Sequence, residues 1–451
     1  MWLRGAIRSL SYWPVIRQGA LRLASFRVRD RDRILSQNPT SASLPEGIFP
    51  VMGECAAFSG LSPVMQPDDR RSLAGHSLVW PAQRWPPRCE NLTFCFGQRR
   101  GIITFVIHRL YVHNFRCLEN FHLPLSGQSS VLLIGNNGSG KTTIGLALEI
   151  LQRIARGTNR VGDLVKPKDL AGGRIDVPMR FEIEVELDAK RYEYVVAFEF
   201  PRGFKELRVL EEKLAVDGKP VYSREVAQVH LTGTSQEKEA RFPIDWHLVA
   251  LPIVQESAQG PLFIFKQWLG RMLILRPIPS LIGGESKEET LQPSVQVVDF
   301  GAWFSGLLAY APAAYAKIDE HLRQVMPDLD DIKNPVIGAD SRSLVVQFSS
   351  GQGSVKVPFA DLSDGEKCFM ICAMVLAAND AYGPVLCFWD EPDAHLALSE
   401  VGHFVMALRR AFQSGGQFIM TSHNPEAIRR FSGENTLVLT AVQISREARL
   451  G

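Results

Sequence analysis

Val131-Leu132-Leu133-Ile134-Gly135-Asn136-Asn137-Gly138-Ser139-Gly140-Lys141-Thr142-Thr143 is the stretch on which the fold turns. Four apolar residues lead into a glycine-rich run, and a helical pattern follows from Thr143 to Leu151. The glycines let the backbone curl so that successive N–H groups point inward, a cradle for phosphate oxygens. Lys141 is spaced to reach a β/γ-phosphate pair, and the Thr142 hydroxyl suits Mg²⁺. The helix N-terminus adds partial positive charge where the anion would sit. An ordinary glycine-rich turn has neither the strand before nor the helix after. Residues Gly135 to Thr143 are therefore expected to bind a nucleoside triphosphate, ATP, with Mg²⁺.

Composition narrows the class. At 451 residues the chain has room for two or three domains with a substantial core. A formal net charge of +2 does not by itself point to a polyanionic partner. The cysteines at 55, 89, 95, 117, 368, 372 and 387 lack C-x-x-C pairing, so neither a zinc site nor a disulfide framework is expected. Cys368 and Cys372, four apart in a helical pattern, read as packing residues. No apolar run approaches the roughly 20 residues of a membrane span, and the cytoplasm is the expected compartment.

Residues 1 to 101 differ from the rest. They contain no lysine, many arginines (Arg4, Arg8, Arg17, Arg22 among them) and half of the tryptophans, with no sustained period. A transit peptide, a basic arm for nucleic acid and a poorly folded or non-native extension are all compatible with this; the extension fits a pattern-free segment best. The ordered part is expected to run from 102 to 451.

Within it, Ile103–Val112 and Asn114–Leu125 read as two strands. Met179–Leu187 and Arg191–Phe200 alternate apolar and polar residues about a short turn, and Leu207–Val216 with Pro220–Arg224 extends the meander through Asp217-Gly218. A helix-leaning region follows to about 330, broken near Pro312, and then short strands at 343–348 and 354–359. Near the end, Val385-Leu-Cys-Phe-Trp-Asp390-Glu391 is an apolar strand closing on two carboxylates. Asp390 is placed to hold Mg²⁺, and Glu391 to orient and deprotonate an attacking water. Ser363, with Glu366 three residues on, has the form of a capping box opening a helix over 368–378. Gln417–His423 is a strand ending in an imidazole, which could be structural or could hydrogen-bond a γ-phosphate.

The order of the glycine loop (135–142), Leu362-Ser363-Asp364-Gly365-Glu366, the strand with Asp390-Glu391, and Thr421-Ser422-His423-Asn424 resembles the ABC-type ATPase heads of the SMC, RecF and related "AAA family ATPase" proteins of bacteria. The resemblance spans about Ile103 to Thr440. It implies an α/β P-loop NTPase with a mixed central sheet, an antiparallel side sheet and a mostly helical insertion over about 202–330. It also implies a homodimer around ATP, in which Ser363 and Gly365 of one copy meet the γ-phosphate held by the other. Glu391, His423 and Lys141 would then carry hydrolysis, and Arg116, in Asn114-Phe115-Arg116, would lie near the nucleotide. Departures exist. Glu391-Pro392-Asp393-Ala394-His395-Leu396-Ala397-Leu398 lacks the second histidine and proline usual there, no glutamine loop is evident, and the roughly 220 residues between Lys141 and Ser363 carry no heptads.

Three functions fit such a head: an ATP-hydrolysing switch in DNA repair or defence, a slow ATP sensor that restrains a co-encoded toxin or nuclease, and a transporter motor. The spacing between the glycine loop and Ser363 weakens the third. DNA and an effector protein thus remain the candidate partners. Arg202, Lys205 and Arg208 form the one local basic group noted, and such a group is commonly a solvated face.

Overall fold

The computed structural model describes residues 106–439, apart from 233–239, 256–259, 352 and 432. The chain divides into two units, Met1–Leu92 and Thr93–Gly451. The extension read over 1–101 lies outside the described residues.

In the second unit, β1 (Val106–His113) and β2 (Phe121–Pro124) pair antiparallel, and β3 (Ser130–Gly135) leads through the glycine loop into α1 (Lys141–Ala155). After the single turn α2 (Val161–Leu164) come β4 (Met179–Leu187), β5 (Lys190–Glu199), β6 (Arg208–Val216), β7 (Lys219–Glu225), β8 (Gln228–Leu231) and β9 (Ala240–Pro243). Next are α3 (Pro261–Gly270), β10 (Leu273–Leu275), β11 (Glu285–Ser286), α4 (Phe300–Tyr310) and α5 (Ala314–Val325). Then follow β12 (Leu329–Lys333), β13 (Val336–Ile337), β14 (Ser341–Ser343), β15 (Val345–Ser350) and β16 (Gly353–Pro358). The closing elements are α6 (Asp364–Tyr382), β17 (Leu386–Trp389), α7 (Leu398–Gln413), β18 (Gln417–Thr421), α8 (Pro425–Arg429) and β19 (Thr436–Leu439).

Two large sheets organise these elements. The central one has the order β10-β17-β18-β3-β19, and every pair in it is parallel. The side sheet, β2-β1-β4-β5-β6-β7-β8-β9, is antiparallel throughout. The central sheet, expected to be mixed, is parallel in every pair, and the antiparallel pairing lies in the side sheet, as expected there. The insertion read over 202–330 is helical only from α3 to α5; before that, it extends the side sheet through β9. Pro312 falls between α4 and α5, where its ring would obstruct a continuous helix.

Both faces of the central sheet are covered, as a parallel sheet requires. On one face Val131, Leu133, Ile274, Leu386, Phe388 and Ile419 share a core with α1, α3 and the side sheet. Residues of opposite parity, Leu132, Leu273, Leu275, Cys387, Trp389 and Met420, pack against α4 to α7. Helix α6 is buried on almost every side from Lys367 to Ala378, which explains why its sequence is apolar all round. Cys368 and Cys372 are buried there as free thiols, in keeping with a packing role. Gly145 of α1 faces the Phe388 ring so closely that a β-carbon would meet it at 2.5 Å, which brings helix and sheet together behind the glycine loop.

A buried glutamine joins the two sheets. Gln417 accepts a hydrogen bond from the Ile107 N–H (3.0 Å) and donates to the carbonyls of Leu125 (3.0 Å) and Gln128 (2.9 Å). These bonds from one side chain fix β1 against the start of β18. No described helix is long and apolar enough to cross a membrane.

Candidate nucleotide-binding site

The glycine loop sits at the carboxyl end of β3, the place where open parallel sheets bind ligands. Gly140 has φ +99°, and a β-carbon there would press on Leu118 and Cys117, so only glycine suits this last turn before α1. Lys141 is almost fully buried, and its ammonium donates to the carbonyls of Gly135 (2.8 Å) and Asn136 (3.2 Å). The Ser139 N–H donates to the Asn136 carbonyl (3.1 Å), whereas the buried Ser139 hydroxyl has no partner. A buried hydroxyl left unmatched in a loop of inward-turned N–H groups fits a polyanion that would supply the acceptor. Gly135 to Thr143 therefore present the lysine, the hydroxyls and the helix N-terminus that a triphosphate needs.

The acid pair lies directly beside this loop. Thr142 Oγ1 donates to Asp390 Oδ2 at 2.8 Å, across 248 positions of sequence. The other Asp390 oxygen accepts from Thr421 Oγ1 (2.7 Å), and the same threonine oxygen accepts the Glu391 N–H (2.9 Å). One hydroxyl therefore sets the direction of both carboxylate-bearing residues. Glu391 is held at φ +50°, rare for a non-glycine residue and a form of strain that clusters at functional positions. Its carboxylate is half exposed and 3.5 Å from His423 Nε2. A hydroxyl and one carboxylate, with open space beyond, match the way Mg²⁺ is commonly held together with phosphate oxygens and waters.

Ser363 caps α6 as its sequence indicated. Its hydroxyl accepts the Glu366 N–H (3.3 Å) and donates to the Glu366 carboxylate (2.7 Å), which also accepts the Ser363 N–H (2.7 Å). Ser363 is exposed, and Gly365 packs close to the His395 carbonyl, while His395 is 3.5 Å from Asp364. The loop after Glu391 thus rests on the start of α6. Ser363 and Gly365 make no hydrogen bond to residues 135–143 of their own chain among the described residues. Asp393 is buried against Ser422, whose hydroxyl donates to it (2.7 Å); burial pushes this carboxyl up and the hydrogen bond pulls it partly back.

Arg116 is engaged elsewhere. It donates through Nε to Asp169 Oδ1 (3.1 Å), while its neighbours Cys117 and Leu118 are the ones that touch Gly140. Arg208, one of three residues in the basic group, is paired with Glu199 (2.6 Å) and lies against the Phe204 and Trp246 rings. Only Arg202 and Lys205 of that group are exposed. Thr421 carries more of the site than its place in the sequence revealed. The signal available was its position at the end of an apolar strand, level with Asp390 in a parallel register.

A parallel sheet with a glycine loop, a buried lysine at the end of that loop and an acid pair at its carboxyl edge defines a P-loop ATPase head. The chain belongs to the family described as "AAA domain, putative AbiEii toxin, Type IV TA system", whose model matches residues 130–429. No curated protein sequence matches it. Among solved structures, it is similar to an SMC head bound to the C-terminal winged-helix domain of ScpA (14% identity, TM-score 0.42, covering 72% of this chain and 92% of that one). It is likewise similar to the SMC head domain from Thermotoga maritima (14% identity, TM-score 0.38, 74% and 95%). A third is an SMC head with an extended coiled coil, bound to the C-terminal domain of ScpA and derived from Pyrococcus furiosus (14% identity, TM-score 0.40, 75% and 94%). The fold class follows from the sheet order itself.

Proposed function

We propose that this protein is an ABC-type, SMC/RecF-like ATPase that works in the cytoplasm as an ATP-dependent dimerising switch. The reading rests on one observation above the others: the hydrogen-bonded chain Thr142–Asp390–Thr421–Glu391, which couples the glycine loop to the acid pair. Residues Gly135 to Thr143 hold the triphosphate through backbone N–H groups, with Lys141 turning from its carbonyl partners to the β/γ-phosphates. Mg²⁺, held by Thr142 and Asp390, would neutralise charge on the phosphate oxygens. Glu391 orients a water and accepts its proton as the water oxygen bonds to the γ-phosphorus. The bond from that phosphorus to the bridging oxygen breaks, and ADP leaves with the electron pair. His423, beside Glu391, hydrogen-bonds the terminal phosphate.

Ser363, exposed at the start of α6, and the half-buried Gly365 meet the nucleotide of a second copy, so the homodimer forms around ATP. The output of such a switch is a repair or defence complex acting on DNA. A second reading is favoured by the family description, which names a toxin of a toxin–antitoxin system: a slow ATP sensor whose dimer restrains a co-encoded partner. The pairing of Arg208 with Glu199 also offsets charge in the basic group of Arg202, Lys205 and Arg208. Phosphate release measured with and without duplex DNA separates the two. A several-fold rise with DNA supports the first reading. Slow turnover indifferent to DNA, with a dimer that persists on size-exclusion chromatography in ATP, supports the second. Absence of both turnover and ATP-dependent dimerisation contradicts the proposal.

A further inference from the structure

The cleft between α1 and the carboxyl end of β10 holds a basic side chain to which the chemistry above gives no task. It is lined by Thr142, Leu146, Glu149, Arg276, Phe388 and Asp390, among others. Strand β10 pairs in parallel with β17, Leu275 opposite Trp389, and the Asp390 N–H donates to the Leu275 carbonyl (2.9 Å). The next residue, Arg276, is therefore level with Asp390 at the edge where the glycine loop also ends.

The backbone here is firmly placed. Arg156 at the end of α1 donates to the Gly270 carbonyl (2.9 Å), Gln152 donates to the Met272 carbonyl, and the Arg276 N–H donates to Val295 O (2.7 Å). The side chain is not. Among the described residues the half-buried Arg276 guanidinium makes no hydrogen bond and no ion pair. Glu149 lines the same cleft without pairing with it, and both Asp390 oxygens already accept hydroxyl groups, from Thr142 and Thr421. The guanidinium's donors are met by no acceptor among the described residues and stand free for an anion. Its planar fork matches a phosphate bidentately, whereas a lysine would act only as a point charge.

We propose that Arg276 engages the terminal phosphate of the nucleotide and thereby distinguishes ATP from ADP. This rests on the reading of the glycine loop as an ATP site.

The test is titration of the full chain and of Arg276→Ala and Arg276→Lys with ADP and with a non-hydrolysable ATP analogue, each with Mg²⁺. Arg276→Ala is expected to weaken the triphosphate analogue by roughly 10- to 100-fold and to leave ADP within about twofold, because only the third phosphate loses charge-assisted hydrogen bonds. Arg276→Lys, keeping charge without the fork, is expected to fall between. Equal weakening of both nucleotides, or no change in either, overturns the assignment. Failure of the unmodified protein to bind either nucleotide overturns the ATP site itself, so the two outcomes are separable.

Discussion

Glu391→Gln is expected to abolish ATP turnover while leaving ATP binding intact. The substitution keeps the shape of the side chain and the backbone N–H that Thr421 receives, so the carboxylate of Asp390 and the glycine loop are undisturbed. What is lost is a proton acceptor. An amide cannot take the proton of the attacking water, and removal of a general base costs about 10²- to 10⁴-fold in rate. Phosphate release should drop by that factor while the affinity for ATP stays within a few-fold. The ATP-bound dimer, no longer emptied by hydrolysis, should accumulate on size-exclusion chromatography. A hydrolysis rate within threefold of the unmodified protein would show that another group takes the proton.

The second large effect lies far from the glycine loop, in the side sheet. Glu212 is fully buried on β6 and accepts the Tyr194 hydroxyl (3.1 Å), the Tyr222 hydroxyl (2.8 Å) and the N–H groups of Ala250 (2.6 Å) and Leu251 (2.8 Å). Opposite it on β7, the buried Arg224 donates to the carbonyls of Val226, Leu248 and Asp245 and lies 3.9 Å from the Glu212 carboxylate. Burial pushes the Glu212 carboxyl up and the Arg224 guanidinium down, while the donors around Glu212 pull its carboxyl back. Glu212→Ala leaves a buried guanidinium without its counter-charge and four donors without an acceptor. The expected loss is about 3–5 kcal/mol, seen as a marked fall in the first thermal transition. Glu212→Gln should recover little, because an NH2 in place of Oε2 sets donor against donor at the Ala250 N–H and at Arg224. A melting curve unchanged by Glu212→Ala would mean that the network contributes specificity without stability.

This network also marks where reading the chain by its periods ends. Alternation placed β4 and β5 correctly, because each keeps one face in the core without interruption. In β6 the register slips at Leu210, with Val209 opposite Phe198 and Glu211 opposite Ala197. Such a bulge exchanges the two faces, so Glu212 enters the core where simple alternation from Val209 would turn it outward. The site was legible to a similar depth. The glycine loop, the strand ending in Asp390-Glu391 and the capping box at Ser363 are local patterns with local physical causes, and each stands where its spacing placed it. The bond from Thr142 to Asp390 depends on strand order, which no local pattern records. Strand β10 has three residues, too few to show a period, and so Arg276 carried no signal of its place beside Asp390.

The central claim is that the loop from Gly135 to Thr143 binds a nucleoside triphosphate, and calorimetric titration of the full chain with Mg·ATP, beside Lys141→Ala, tests it most directly. The unmodified protein should bind with one site per chain. Lys141→Ala should weaken binding about 100-fold, since a charged donor to phosphate is lost from a buried position. Its melting curve without nucleotide should stay close to that of the parent, because Lys141 there bonds only to carbonyls of its own loop. No heat of binding from the unmodified protein, or equal affinity in Lys141→Ala, would contradict the account.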